Sequence, residues 1–335
     1  MKVAASAVAN TVNTYSIISD KNISEEAMAN SVINSQKINN KGIKVDPNRS
    51  APIGLFDSGI GGLSVYLHLA QQLPNERYIY YADTLHVPYG NRDSDDIKTL
   101  TLTAIEWLYQ QGCKLIVIAC NSASAHALET ARQYYPQLPI VGLVPALKPA
   151  VLASKNRHVA VLATKATLNG TLLNDVIVNV ASPSSTKVTK YFDPQLVPWV
   201  ESGMPENSET AQNLRQQLQV FAKDGIDQLV LGCTHYPFFK NFVTQEIKAQ
   251  KLSMQVVDSG QAIAERVKQL LISNHLSAMP LSSLDKNVLA TGFTSKNARP
   301  PLVFYATKYD TSLDMLLPRL LGKQTSLQYY AYPEC

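Results

Sequence analysis

No apolar run in this 335-residue chain approaches the ~18–20 residues that a membrane span needs. No membrane partner is therefore expected. The formal net charge is only +4, small for this length, and gives no case for the clustered basic face that nucleic acid selects. Nucleic-acid binding is not expected either. Cysteine is scarce, with Cys113, Cys120, Cys233 and Cys335 the only four. They show no C-x-x-C pair and no zinc spacing, and Cys233 with His235 lacks a second ligand pair, so no metal site is read. A chain of this size does not need a disulfide scaffold, and free thiols point to a reducing cytoplasm. No secretory signal is expected, because Val3-Ala4-Ala5-Ser6-Ala7-Val8-Ala9 is too short and too weakly apolar for an h-region. What remains, 45% hydrophobic and 17% charged residues, describes a globular chain long enough for two domains.

Residues 1–50 stand apart. They are rich in Asn and Ser, hold one aromatic (Tyr15), and show no sustained period. They read as a disordered extension with a short helix around Ser24–Asn34. From Pro52 onward strand and helix signals alternate. Strands are expected at Ile53–Asp57, Arg77–Ala82, Lys114–Ala119, Pro139–Val144, His158–Ala163, Asp227–Gly232, Gln255–Asp258 and Asn287–Thr291. Helices are expected along Leu63–Leu73, Asp93–Gln111, Ser122–Tyr135, Gln261–Leu271 and Ser312–Leu321. Regular alternation implies α/β architecture with parallel sheets and helices on both faces.

Two cysteines share a context 113 residues apart (233 − 120). Leu115-Ile116-Val117-Ile118-Ala119-Cys120-Asn121-Ser122-Ala123 and Leu229-Val230-Leu231-Gly232-Cys233-Thr234-His235-Tyr236-Pro237 each run from a buried strand through a thiol into a polar turn. A parallel sheet puts its chemistry at such strand ends. Unpaired amides at a helix start favour an anion and should lower a thiol's pKa. Asp57 precedes Cys120 by 63 residues (120 − 57), and Thr164 precedes Cys233 by 69 (233 − 164). This reads as a faint internal duplication whose pseudo-two-fold axis sets two thiols on one cleft. Two unrelated strand-end cysteines would give the same spacing. Cys113 reads as a packing residue.

Other motifs allow two readings. Asp57-Ser58-Gly59-Ile60-Gly61-Gly62 fits neither the dinucleotide fingerprint nor a P-loop. It is either an amide cradle for a carboxylate, with Asp57 facing the reacting centre, or a tight turn before a helix. Tyr89-Gly90 either presents a hydroxyl and an amide to an anion or forms a surface turn. Asn121, Ser122 and Thr234 have the donors and acceptors for a carboxylate and an ammonium. His235 either protonates a neighbouring thiolate or bonds at a helix start. Glu201, after an apolar run, is uninformative by itself.

At these residues the chain resembles the glutamate racemases of the cofactor-independent aspartate/glutamate racemase superfamily. The matching blocks are Gly54–Ser64, Pro88-Tyr89-Gly90, Ala119-Cys120-Asn121-Ser122-Ala123, Val197–Gly203 and Leu231–Pro237. The resemblance implies two similar three-layer α/β domains, residues 51–143 plus 258–335 and residues 144–257, with the active site in the cleft between them. It implies interconversion of L- and D-glutamate, supplying D-glutamate for peptidoglycan, with aspartate racemisation as the alternative. By resemblance Cys120 is the base for D-glutamate and Cys233 for L-glutamate, helped by Asp57 and His235. Substrate contacts carry over onto Asp57, Ser58, Tyr89, Gly90, Asn121, Ser122, Thr234 and His235. No cofactor is implied. A homodimer is, and Val144–Ala150 resembles the branch that a muramyl-nucleotide precursor activates.

Two other classes compete. A cysteine hydrolase would use Cys233 with His235 and have no need of Cys120. A binding protein would keep the cleft without turnover. If Asp57 and His235 act through protonation, replacing them should lower activity while leaving thermal stability nearly unchanged.

Overall fold

A computed structural model describes residues 47–278, 302–308, 310–322 and 327–331. Strands β1 (Ile53–Asp57), β2 (Tyr78–Ala82), β3 (Leu115–Ile118), β4 (Ile140–Gly142), β5 (His158–Leu162), β6 (Lys187–Tyr191), β7 (Gln228–Leu231), β8 (Gln255–Asp258), β9 (Leu302–Ala306) and β10 (Leu327–Ala331) form two sheets. The first has the order β10-β9-β2-β1-β3-β4 and the second β6-β5-β7-β8. Every strand pair is parallel.

Parallel strands buried on both faces read as continuous apolar runs. β1, β3 and β5 do so, and each is buried along its whole length. One face of the first sheet packs Leu55, Tyr80 and Val117 with Leu63, Val267 and Leu317 from the helices Leu63–Gln72, Gly260–Ser273 and Thr311–Leu321. The other packs Phe56, Ile79 and Ile116 with Ile105 and Leu128 from Ser94–Gln110 and Asn121–Tyr134. The second sheet repeats this arrangement. Leu162 and Leu229 meet Leu218 and Val243 on one face, and Val161 and Val230 meet Leu147 and Leu173 on the other. Both units are thus three-layered.

The order β2-β1-β3-β4 recurs as β6-β5-β7-β8, so the two halves share one topology. In each half the chain leaves its first strand toward one side and returns on the other. The crevice at that switch point, beyond the strand ends, is where parallel sheets bind ligands. Cys120 lies two residues beyond β3 (120 − 118) and Cys233 two beyond β7 (233 − 231). The equivalence inferred from spacing is therefore an equivalence of register, with Phe56 beside Ile118 and Leu162 beside Leu231.

Differences from the expected elements have local causes. Pro47–Ser50 is a helical turn rather than extension, since Arg49 Nε donates to the Ser277 carbonyl at 2.8 Å and Lys114 Nζ donates to the Arg49 carbonyl at 2.7 Å. The edge strand β6 has a polar, half-exposed sequence that carries no apolar run. The expected helix at Ser24–Asn34, the strand Asn287–Thr291 and Cys335 lie outside the described residues. Among the described residues no helix is long and apolar enough to cross a membrane.

Candidate active site

A cavity of about 330 Å³ opens at the carboxyl ends of both sheets. Ser58, Tyr89, Gly90, Cys120, Asn121 and Ser122 line it from the first half, and Cys233, Thr234 and His235 from the second. Asp57 is completely buried behind this wall. Both thiols are buried and free.

Cys120 caps the helix Asn121–Tyr134, its sulfur accepting from the Ala123 amide at 3.5 Å with Ser58 Oγ at 3.6 Å. These contacts were expected to lower its pKa. Burial wins instead, and with the nearby Asp57 charge it pushes the thiol up to about 12, against the hydrogen bonds from Ala123 and Ser58. Cys120 thus holds its proton at neutral pH. Burial likewise lifts Asp57 to about 6, although the positive charge of His235 and hydrogen bonds from Gly59 and Thr234 oppose the rise. Asp57 Oδ1 accepts from the Gly59 amide at 2.7 Å and Oδ2 from Thr234 Oγ1 at 3.1 Å. The Gly59 amide is therefore taken by Asp57 rather than offered to a substrate.

His235 sits between two acceptors. Its Nδ1 lies 3.9 Å from Cys233 Sγ and its Nε2 lies 3.0 Å from Glu201 Oε1. Burial alone would lower the imidazole's pKa. The hydrogen bonds to Cys233 and Glu201, with their charges, outweigh burial and raise it to about 10. At neutral pH the ring is an imidazolium facing the second thiol. The two thiols therefore sit beside unlike helpers, a carboxyl group and an imidazolium. Two acid–base groups aimed into one cavity from opposite halves suit removal of a proton from one face of a carbon and its return to the other.

The Asp/Glu/Hydantoin racemase model matches residues 53–267. The chain belongs to this racemase family. Within it, the glutamate racemase of Deinococcus radiodurans is 48% identical over 225 residues, which span 67% of this chain and 76% of that protein. The crystal structure of glutamate racemase isoform RacE1 from Bacillus anthracis covers 86% of this chain and 100% of its own, with a TM-score of 0.70 at 26% identity. Escherichia coli glutamate racemase, in complex with L-glutamate and the activator UDP-MurNAc-Ala, covers 84% of this chain and 98% of its own, with a TM-score of 0.65 at 29% identity.

Several side chains of this racemase do something other than their sequence suggested. The Tyr89 hydroxyl donates to Asp83 Oδ2 at 2.5 Å, so it reaches the cavity as an acceptor rather than as a free donor. Hydrogen bonds cross between the halves. Ser122 Oγ meets Thr164 Oγ1 at 2.9 Å, and Ser64 Oγ donates to the Thr234 carbonyl at 2.8 Å. The glycine-rich turn permits this close approach, because a Cβ at Gly61 would lie 2.5 Å from both His235 Nδ1 and Thr234 Oγ1. Packing between the halves requires that glycine, which neither sequence reading foresaw.

Three residues escaped the sequence reading. Glu201 belongs to the block Val197–Gly203, but its partner His235 is 34 positions away. Thr164 enters the sequence reading only through its spacing from Cys233, yet it lines the cavity and caps the helix Lys165–Asn169. Tyr236 also lines the cavity. Its hydroxyl and Asn121 Oδ1 are buried polar atoms without a hydrogen-bond partner among the described residues. Buried polar groups are normally paired, so these two atoms suit a polar ligand.

Proposed function

We propose that the chain interconverts L- and D-glutamate by a two-base step, in which one of Cys120 and Cys233 removes the Cα proton from one face while the other gives its own proton to the opposite face. The observation that carries this reading is the placement of two buried thiols, from equivalent positions in two sheets, on one cavity. A hydrolase centred on Cys233 and His235 leaves Cys120 without a task.

The enantiomer bound decides which thiol acts as base. The positive His235 ring faces Cys233, 3.9 Å from its sulfur, and Cys233 takes the proton from L-glutamate. Cys120 still carries its own proton and donates it to the opposite face. In the reverse direction Cys120 must first give up its proton, and the Asp57 carboxylate is the acceptor. Asn121 and Ser122 on one side and Thr234 on the other hold the substrate's carboxylate and ammonium groups. Such fixed donors stabilise the charge that develops as the proton leaves.

The proposed division assigns residues 51–143 with 258–335 to one domain and 144–257 to the other. Sheet membership supports it, apart from the end of β8, which falls on the boundary. The product serves as D-glutamate for peptidoglycan, in the cytoplasm, and the working unit is a homodimer. A muramyl-nucleotide precursor acts as activator, as the molecule bound to the E. coli protein suggests. It biases residues 1–46 or the segment Pro145–Pro149, by no more than its difference in affinity for the two states.

Circular dichroism of L- and D-glutamate and of both aspartates, without added cofactor, tests the reaction. Glutamate should lose its optical signal from either enantiomer. Preferential turnover of aspartate would replace the substrate, and no turnover would favour the binding protein. Repeating the assay with and without the precursor, on the full chain and on one lacking residues 1–46, tests regulation. Full activity without ligand in both would remove it.

A further inference from the structure

Beside the glutamate cavity lies a second pocket of about 560 Å³. The two share Gly90, Asn91, Phe192 and Pro194 as a common wall. Their charges are opposite. The inner cavity is lined by Asp193 and Glu201, and its one basic side chain, His235, is matched by Glu201. The outer pocket carries Arg92, His126 and Lys165 and no carboxylate.

Glutamate has two carboxylates and one ammonium group, hence a net charge of about −1 at neutral pH. The acidic inner wall opposes its approach, so the attraction must come from elsewhere. Arg92 is held by Asp96 at 2.5 Å, and His126 Nδ1 meets Ser94 Oγ at 3.1 Å. Lys165 differs from both. Among the described residues it forms no ion pair, and its Nζ lies over the Phe192 ring, 5.2 Å from the centroid, on the shared wall. Its neighbour Thr164 faces the inner cavity, where it meets Ser122. One step along the chain thus separates the catalytic cavity from an unpaired cation.

We propose that the outer pocket is the entry vestibule for the anionic amino acid, with Lys165 as the charge that draws it in. A cleft lined by one sign of charge concentrates opposite charges at its mouth, and a whole field of this kind raises capture by roughly 10–10³-fold. Here it would also favour acidic amino acids over neutral ones before any contact with the thiols. This inference rests on glutamate being the substrate.

The test uses the full chain and measures glutamate racemisation across a range of ionic strength. Lys165→Gln should lower kcat/KM by roughly 3–10-fold at low salt, with the loss carried by KM. The gap should close as salt screens the field, and Lys165→Arg should restore the wild-type value. A Lys165→Gln loss that is absent, or that does not change with salt, overturns the vestibule while leaving the racemase reading intact. A wild-type chain that racemises no glutamate overturns both.

Discussion

Asp57→Asn should stabilise this protein while disabling it. The carboxyl group is completely buried and its pKa rises from 3.8 to about 6. A raised pKa means that the folded state binds the proton more tightly than the unfolded state. The associated stability is fully present below pH 3.8 and is lost as pH rises through about 6. A shift of about 2 units is worth about 3 kcal/mol. Above pH 6 the wild type bears that penalty and a neutral asparagine does not. Asparagine has the same shape. Its oxygen can accept from the Gly59 amide, and its amide can donate to Thr234 Oγ1 once that hydroxyl turns. The variant should therefore be more stable by up to about 3 kcal/mol at pH 8, and the advantage should vanish near pH 4. Its kcat should fall by roughly 10²–10⁴, the usual worth of general acid–base help. Urea unfolding at the two pH values and racemisation at pH 8 measure both effects. A variant less stable than wild type at pH 8, or an advantage independent of pH, would refute the argument. The sequence alone suggested unchanged stability, because it does not show that Asp57 is buried.

Because the two enantiomers have equal free energy, no mutation can change the ratio of kcat/KM between directions, so isotope exchange must tell the thiols apart. In deuterium oxide Cys120→Ser should lose exchange at Cα mainly from D-glutamate and Cys233→Ser mainly from L-glutamate; equal loss from both would contradict one base per face. Glu201→Gln should remove the countercharge of His235, lower kcat/KM by roughly 10²-fold and move the alkaline limb of the pH profile to lower pH; an unmoved limb would assign Glu201 to packing. Wild-type kcat/KM should rise as Asp57 ionises through about pH 6 and fall as His235 loses its proton through about pH 10, and a flat profile across either pH would remove that residue from proton transfer.

The parts of this fold that were readable in sequence are those governed by local pattern. β1, β3, β5 and β7 are short apolar runs ending in polar turns, and their bounds match the expected ones to within about two residues. β6 was missed because Lys187–Tyr191 is a half-exposed edge, where alternation weakens. The site was readable as two thiol blocks, since each carries its own strand and turn. Glu201 was not, because its meaning depends on a ring contributed by another segment. The thiol's acidity was misjudged for a related reason. A helix start is visible in sequence, whereas the burial that overrides it at Cys120 comes from the packing of both halves.

The scaffold is nearly symmetric while the proton helpers are not, and the reaction accounts for both. Each thiol must serve as acid in one direction and base in the other, so equivalent positions beyond β3 and β7 suit the task. Two identical helpers would titrate together. Asp57 near 6 and His235 near 10 instead bracket neutral pH. Between those values one helper is a proton acceptor and the other a proton holder. One thiol therefore keeps its proton while the other faces a cation. Burial raises Asp57, and Glu201 together with Cys233 raises His235, so the asymmetry arises from what packs around two equivalent turns rather than from the turns themselves.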